Sequence, residues 1–379
     1  MAKWTNLICN TFSIYSSFLI DNQIVTIGLM QADQYNYNKF VCHFNGQLIQ
    51  AQFEILTESS YKKYSSIKIR CHLNKEDLIN VNTKKLFVQI KMYSEEHIKC
   101  QSNLIEIERI YDTKQRLPNS GKNLTICVRP LFGPFTATSS LLEFIAFYRA
   151  NLVNKFVIYN LSISSQIQLL LSSMEPFVEV IQFDLPIQSK DIHAEGQIAS
   201  MTDCLLRNAN DHIIFVDIDE FIMTFQHENL KTFIQSNIND SIGSFIFPNC
   251  FFCNEFNNKQ GNSFPRILNY KIRQTLEWPI NQRSKSVIIK PLAVVEQGVH
   301  VVWKWNNSLV YGDLVNVYVD RNEAMLFHYR SCCRIWQRFY QLFGIKFFFK
   351  TYNDNTITDN SMDKFASEIF TFIHQYIEH

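Results

Sequence analysis

The chain has 379 residues, 46% of them hydrophobic and 19% charged, with a formal net charge of +1. That length allows one or two domains, and the apolar share supports a sizeable core, which excludes disorder as the default state. A near-neutral balance without a long Lys/Arg run excludes an electrostatic footprint for nucleic acid.

Between Lys3 and Asp21 the chain is uncharged but carries Asn6, Asn10, Thr11, Ser13, Ser16 and Ser17. This is too polar for a membrane span and lacks a signal-peptide core. The expectation is a soluble protein or a sequence that begins downstream of an anchor. Short alternating segments follow at 23–30, 39–44, 50–56, 66–72 and 85–92, separated by Asn, Ser, Lys and Asp. Residues 1–115 therefore read as a small β-rich domain. A polar joint containing Pro and Gly spans 112–123.

The pattern then changes. Strands are predicted at 124–128, 155–159, 178–183 and 213–216. Helices are predicted between them at 138–150, 165–173 and 196–208, the first with Leu141, Leu142, Ile145 and Tyr148 on one face. Strands alternating with helices at this spacing argue for βαβ units and a parallel sheet, an α/β fold class. A helix at 230–238, a strand at 244–247, a loop-rich stretch over 249–282, strands at 286–290 and 298–302, and helices at 334–350 and 361–378 complete the reading. The domain division is 1–115, 120–345 and a helical extension at 346–379.

Ten cysteines stand at 9, 42, 71, 100, 127, 204, 250, 253, 332 and 333. An even count fits a secretory protein with disulfides and equally an unpaired cytosolic set. Cys250 and Cys253 form a lone C-x-x-C. Zinc would need a second pair, and Cys332–Cys333 is a poor one, so a disulfide or buried thiols is the stronger reading. Sequons at Asn123, Asn160, Asn239 and Asn306 are no more than chance gives in a chain this rich in Asn, Ser and Thr.

The most informative stretch is Ile213 to Ile222, an apolar run ending in two aspartates one residue apart, Asp217 and Asp219. In a strand, alternate side chains share a face, so both carboxylates would leave the same side. Ligands bind at the carboxyl ends of parallel strands. Two carboxylates there can hold a hard divalent cation, and the cation a diphosphate. The bland alternative is a strand-end turn or a helix cap. A rival chemistry is a phosphohydrolase with Asp217 as nucleophile; Phe221, standing where such sites carry Thr or Val, counts against it.

Val216-Asp217-Ile218-Asp219-Glu220-Phe221 resembles the D-x-D-E-F segment of glycosyltransferase family 92, also known as domain of unknown function 23. Further matches follow in the family's order. They are Cys127 to Gly133, Leu142-Glu143-Phe144-Ile145, Val157-Ile158-Tyr159-Asn160, Gly196-Gln197, Asp203-Cys204, Arg283-Ser284-Lys285-Ser286, Lys290-Pro291, Gly298-Val299-His300 and Phe327-His328-Tyr329-Arg330. The similarity covers roughly 120–345 and is only loose before it.

The resemblance implies a GT-A fold, Rossmann-like, with a mostly parallel sheet and helices on both faces. It also implies a nucleotide-sugar donor (UDP-galactose), inversion at the anomeric carbon, a glycan acceptor on a glycoprotein or polysaccharide, and a Golgi membrane setting. Mn²⁺ or Mg²⁺ suits an all-oxygen site, and an added imidazole favours Mn²⁺. By analogy Asp219 is the stronger direct ligand, with Asp217 reaching the ribose or a metal-bound water and His328 as third ligand; His300 is the second choice. Lys285 and Arg283 are candidates for the donor diphosphate, as a point charge and a bidentate fork respectively. Arg129 could face the nucleotide, and Asp203 could orient the uracil or a metal shell or be a helix-surface acid. An inverting transfer also needs a general base, for which Glu220, Glu277 and Asp313 are possible. Glu277 lies beside Trp278, an aromatic that could stack on a sugar. The N-terminal domain would serve as a stem or a carbohydrate-binding module. The alternative from another class is a family member that binds glycan or nucleotide sugar without transferring it.

Overall fold

The computed structural model describes residues 3–35, 39–59, 62–74, 85–94, 97–110, 122–133, 135–257, 264–275, 279, 283–306, 312–332 and 356–377. The first unit is built from β1 (Phe12–Ile20), β2 (Gln23–Gln31), β3 (Lys39–Phe44), β4 (Gln47–Ile55), β5 (Tyr64–His72), β6 (Leu86–Ser94), β7 (His97–Gln101) and β8 (Ile105–Ile110). Its strand order is β3-β4-β5-β2-β1-β8-β6, and β3 pairs back onto β6. Seven strands thus close into a barrel, which removes the unpaired edges of an open sheet. β7 adds to the far end of β6. The interior is filled by Phe12, Ile14, Ile24, Phe40, Phe44, Ile67, Ile69, Val88 and Ile90, among others. Disulfides Cys9–Cys100 and Cys42–Cys71 staple it.

β1 lies in the uncharged stretch whose hydroxyls argued against a membrane span. Two of those hydroxyls find partners inside the fold, Ser17 Oγ lying 2.8 Å from Thr26 Oγ1 on β2 and Ser13 Oγ donating to the Thr5 carbonyl at 2.6 Å, while the buried Ser16 Oγ has none among the described residues. Both faces of β1 are buried, one in the barrel and one against the second unit.

The second unit runs β9 (Leu124–Leu131), α1 (Thr138–Ala150), β10 (Lys155–Asn160), α2 (Ser165–Ser172), β11 (Val178–Gln182), α3 (Gln197–Arg207) and β12 (His212–Val216). It continues with β13 (Glu220–Thr224), α4 (Leu230–Asn237), β14 (Ile242–Phe247), β15 (Asn249–Cys253), β16 (Ile272–Gln274), β17 (Lys285–Ile288), β18 (Val294–Gln297), β19 (Val302–Trp305), β20 (Val315–Tyr318) and β21 (Ala324–Arg330). The main sheet has the order β11-β10-β9-β12-β17-β14-β20. β9, β10, β11 and β12 are mutually parallel, β17 is reversed, and β14 and β20 are parallel to each other. The chain therefore has a mixed α/β fold with a β-rich N-terminal region. Strands buried on both faces read as continuous apolar runs, as β12 does. Ile126, Val128, Phe156 and Ile214 face α1 and α2; Cys127, Val157, Ile213 and Phe215 face α3. α3 in turn packs on Tyr15, Phe18, Val25 and Ile27 of the barrel, so one apolar layer joins the two units.

Several predicted elements need correction. The stretch 249–282 contains β15, β16 and short helices at Asn254–Asn257 and Arg266–Asn269 rather than loop alone. The stretch predicted as a strand at 298–302 is mostly a turn, 298–301, between β18 and β19, and β19 starts only at Val302. β13, β15 and β21 form a small sheet of their own, unanticipated because each reads as an ambiguous apolar run. The C-terminal helix Ala366–Ile377 belongs to the α/β core: Ile369 and Ile373 are buried with α1, and the Phe365 and Phe147 rings lie 5.4 Å apart. The predicted helix at 334–350 lies outside the described residues. Among the described residues, no helix is long and apolar enough to cross a membrane.

Candidate active site

β12 ends at Val216, and Asp217-Ile218-Asp219 forms a turn into β13, closed by the Glu220 N–H donating to the Asp217 carbonyl at 3.0 Å. The expectation that both carboxylates leave one side of a strand is therefore corrected. The turn sends them to different partners.

Asp217 goes to β17. In the β12–β17 pairing Ile213 faces Ile288 and Ile214 faces Val287, which brings Lys285 level with Val216. Lys285 Nζ lies 3.1 Å from Asp217 Oδ2 and 3.2 Å from Glu220 Oε2. Asp219 goes to β21. There His328 sits directly across from Glu220 in the β13–β21 register. His328 Nε2 is 3.3 Å from Asp219 Oδ2, and Nδ1 is 3.5 Å from Glu220 Oε1. Asn249 of β15 also approaches Nδ1, at 3.5 Å.

Glu220 is the hub. Its Oε2 also accepts the Asp217 N–H at 2.8 Å, and the residue is only 2% exposed. With one oxygen on Lys285 and the other beside His328, both its oxygens are engaged within the protein. This geometry favours a positioning role for Glu220 over that of the base expected from sequence. Burial pushes its carboxyl up, against the opposing pull of Lys285. Burial alone would lower Lys285, but Asp217 and Glu220 hold its ammonium above the usual value. Burial likewise raises Asp219, yet His328 and then Arg330 outweigh it and hold the carboxyl at about 2.

His300 lies in the turn after β18, and its Nδ1 donates to the Ser284 carbonyl at 2.8 Å, leaving the lone pair on Nε2. Burial and the neighbouring Lys285 push it down to about 4, so it is a neutral imidazole. Arg283 is lowered by burial and by Arg330, and it feels the charge of Glu220. Arg129 stands at the carboxyl end of β9, its guanidinium 5.3 Å over the Phe132 ring. Asp203 does not join the site. It is fully buried on α3, where Tyr159 Oη donates to it at 2.5 Å and Arg207 at 3.0 and 3.1 Å. Asp313 is exposed just before β20, which runs parallel to β14, so it lies at the opposite edge of the sheet. Glu277 lies outside the described residues.

Three contributors were not anticipated. Asn249 is buried beside His328. Glu58 reaches across from the barrel and accepts the Val299 N–H at 2.6 Å, holding the turn that carries His300. Ala194 and Glu195 have φ of 44° and 55°, ahead of Gly196 at 77°. Such strain in residues with a Cβ clusters at functional sites. Arg129 and Lys62 act electrostatically on Glu195.

The donor set suits a hard divalent cation in part. Asp219 offers a carboxylate about one-third exposed, His328 Nε2 adjoins it, and the buried Asp217 Oδ1 has no hydrogen-bond partner among the described residues. The three residues do not converge on one point, however. Among the described residues, the trio of His, Cys, Asp or Glu ligand atoms that gathers within 4.8 Å is Cys253, Glu255 and Cys332. Cys253 and Cys332 are joined by a disulfide, which also removes the C-x-x-C zinc reading; Cys250 is a buried free thiol.

The model of glycosyltransferase family 92 matches residues 122–370. The chain is 26% identical over 310 residues to the beta-1,4-galactosyltransferase galt-1 of Caenorhabditis elegans, covering 78% of this chain and 68% of that protein. Among solved structures, a mycobacterial protein covers 53% of this chain and 66% of its own at TM-score 0.28 and 12% identity. The glucosyl-3-phosphoglycerate synthase of Mycobacterium tuberculosis covers 68% of this chain and 81% of its own at TM-score 0.30 and 8% identity. Both scores are too low to assign a shared fold. The family match covers most of the chain and contains the whole Asp217–Asp219–Lys285–His328 constellation: the chain belongs to glycosyltransferase family 92.

Proposed function

We propose that the α/β unit is a GT-A-type, inverting, divalent-metal-dependent transferase that moves galactose from UDP-galactose to a glycan acceptor. The observation that carries this reading is the divided acidic pair: Asp219 faces His328 at the sheet's carboxyl edge while Asp217 is braced by buried Lys285. The mostly parallel sheet with one reversed strand and helices on both faces supports the GT-A assignment. The galactosyltransferase relative supports the donor. Asp219 and His328 would hold Mn²⁺ or Mg²⁺, with Asp217 reaching the ribose or a bound water. When bound, the cation supplies Lewis-acid stabilisation of charge on the departing diphosphate. Arg283 adds positive charge on the same side, and Glu220 keeps Lys285 and His328 in place. Four disulfides support passage through an oxidising, secretory compartment, in keeping with a Golgi setting.

The test is UDP release from UDP-galactose with Mn²⁺, in the wild type and in Asp219→Ala. Loss of about 10²–10³-fold in rate is expected, the scale for removing one electrostatic group that acts on the transition state. The melting temperature should stay close to wild type, because Asp219 is partly exposed. Transfer at the wild-type rate by folded Asp219→Ala would refute the metal assignment. Mn²⁺-dependent UDP binding without turnover on any glycan would leave a binding protein instead.

A further inference from the structure

A cavity of about 390 Å³ lies in the seam between barrel and α/β unit, away from the acidic turn. Its lining combines groups from β4 and β5 of the barrel (Glu54, Lys68 and Arg70) with Gln297 at the end of β18 and Trp305 at the end of β19. We propose that this cleft is a saccharide subsite that takes a neutral hexopyranose of the acceptor glycan. The acceptor role rests on the transferase reading; the binding itself does not.

Gln297 is 5% exposed, and its Nε2 donates to the Gly298 carbonyl at 2.5 Å. Its Oε1 has no donor among the described residues. A buried acceptor left empty is destabilising, and such groups ordinarily find a partner. A sugar hydroxyl is a suitable donor.

Trp305 is held in one orientation. Its indole N–H donates to Asn316 Oδ1 at 3.2 Å, and the ring lies so close to Gly243 that a Cβ there would sit 2.5 Å from Cζ2. A pyranose has an apolar C–H face and a rim of hydroxyls, which matches one fixed aromatic ring beside planar polar side chains.

The charge pattern favours a neutral ligand over a phosphate or sulfate. Glu54 lies 3.1 Å from Arg70 and 3.4 Å from Lys68, so an anion entering here would meet a carboxylate already seated between the two cations. Lys68 Nζ is further committed to the Val295 carbonyl at 2.5 Å. The cleft also adjoins the transferase site along the chain. Gln297 is followed by Gly298, Val299 and His300, the turn that Glu58 clamps from the barrel and that holds the Ser284 carbonyl. A glycan bound between the units would therefore lie beside the element that borders Lys285.

The experiment titrates methyl glycosides of galactose, glucose, N-acetylglucosamine and fucose into the full chain by saturation-transfer NMR. At least one should bind saturably. Trp305→Ala should weaken it about tenfold, the scale of losing one aromatic anchor. Arg70→Ala, at a half-buried position, should weaken it several-fold while preserving the melting curve, and it carries the comparison if Trp305→Ala fails to fold. In transfer assays both variants should raise the acceptor KM and leave donor KM and acceptor-free UDP release unchanged. Absence of saturable binding to any glycoside, or binding unchanged in both variants, overturns the proposal. Glycoside binding that both variants weaken, in a chain that transfers no sugar, would sustain the cleft and remove the transferase reading.

Discussion

Replacing Lys285 with Met keeps the stem and deletes the charge that faces two carboxylates at 3.1 and 3.2 Å. Glu220, with its side chain 3% exposed, is then left buried without its main countercharge. Removing one partner of a buried pair costs about 3–5 kcal/mol, because the stranded charge keeps its desolvation penalty. Glu220 has one escape, which is to take up a proton, and burial already raises its carboxyl. The loss must therefore shrink as pH falls, by up to about 1.4 kcal/mol per pH unit once protonation governs. Urea unfolding in chelator, with disulfides intact, measures this at pH 7.5 and 5.5. The expected result is a loss of about 3–5 kcal/mol at pH 7.5, a smaller loss at pH 5.5, and recovery of most of it in Lys285→Met/Glu220→Gln. A loss below about 1 kcal/mol, or a double variant no more stable than the single, would refute the hub.

Two further outcomes follow from buried groups outside the site. Glu143 on α1 is pushed up to about 7 by burial, against the Arg266 backbone N–H and guanidinium. The native state therefore keeps a proton that the unfolded chain releases, so stability should fall as pH rises from the unfolded carboxyl range through about 7, by at most about 3 kcal/mol. Glu143→Gln should flatten that slope in denaturant melts at pH 5, 6, 7 and 8; an unchanged slope would place the titration elsewhere. The disulfide Cys127–Cys204 ties β9 to α3 across 77 residues. Replacing both cysteines with Ser should cost about 4.5 kcal/mol on the loop-entropy model and lower the melting temperature. A melting temperature within a degree or two of wild type would show that packing alone holds α3.

Much of the α/β unit was legible from periodicity, because β9, β10 and β12 are apolar on both faces and their helices alternate with them. The acidic motif was legible as chemistry but not as geometry. The strand end at Val216 was legible, but the separate directions of the two carboxylates were not, because the turn is fixed by Glu220 pairing across to His328, over 100 residues away in sequence. Asp203 looked like a helix-surface acid or a ligand contact, and only the tertiary neighbours Tyr159 and Arg207 place it in the core. Glu58 carried no signal at all, since its partner Val299 is supplied by the other unit. β1 was hidden by its serines, two of which find partners on neighbouring segments, Ser13 on Thr5 and Ser17 on Thr26.

The apolar layer on α3 bears on how this protein can change over generations. A closed barrel joined to a second unit by a few loose contacts could be exchanged or lost as a cassette. Here Tyr15, Phe18, Val25 and Ile27 share a core with Ile198, Met201 and Leu205, while Arg207 of α3 pairs with Glu108 of the barrel. Shedding the barrel would bare that layer to water, and altering one side of it calls for an answering change on the other. Substitutions at the seam should therefore be coupled in energy, one side tolerating change best when the facing side changes with it.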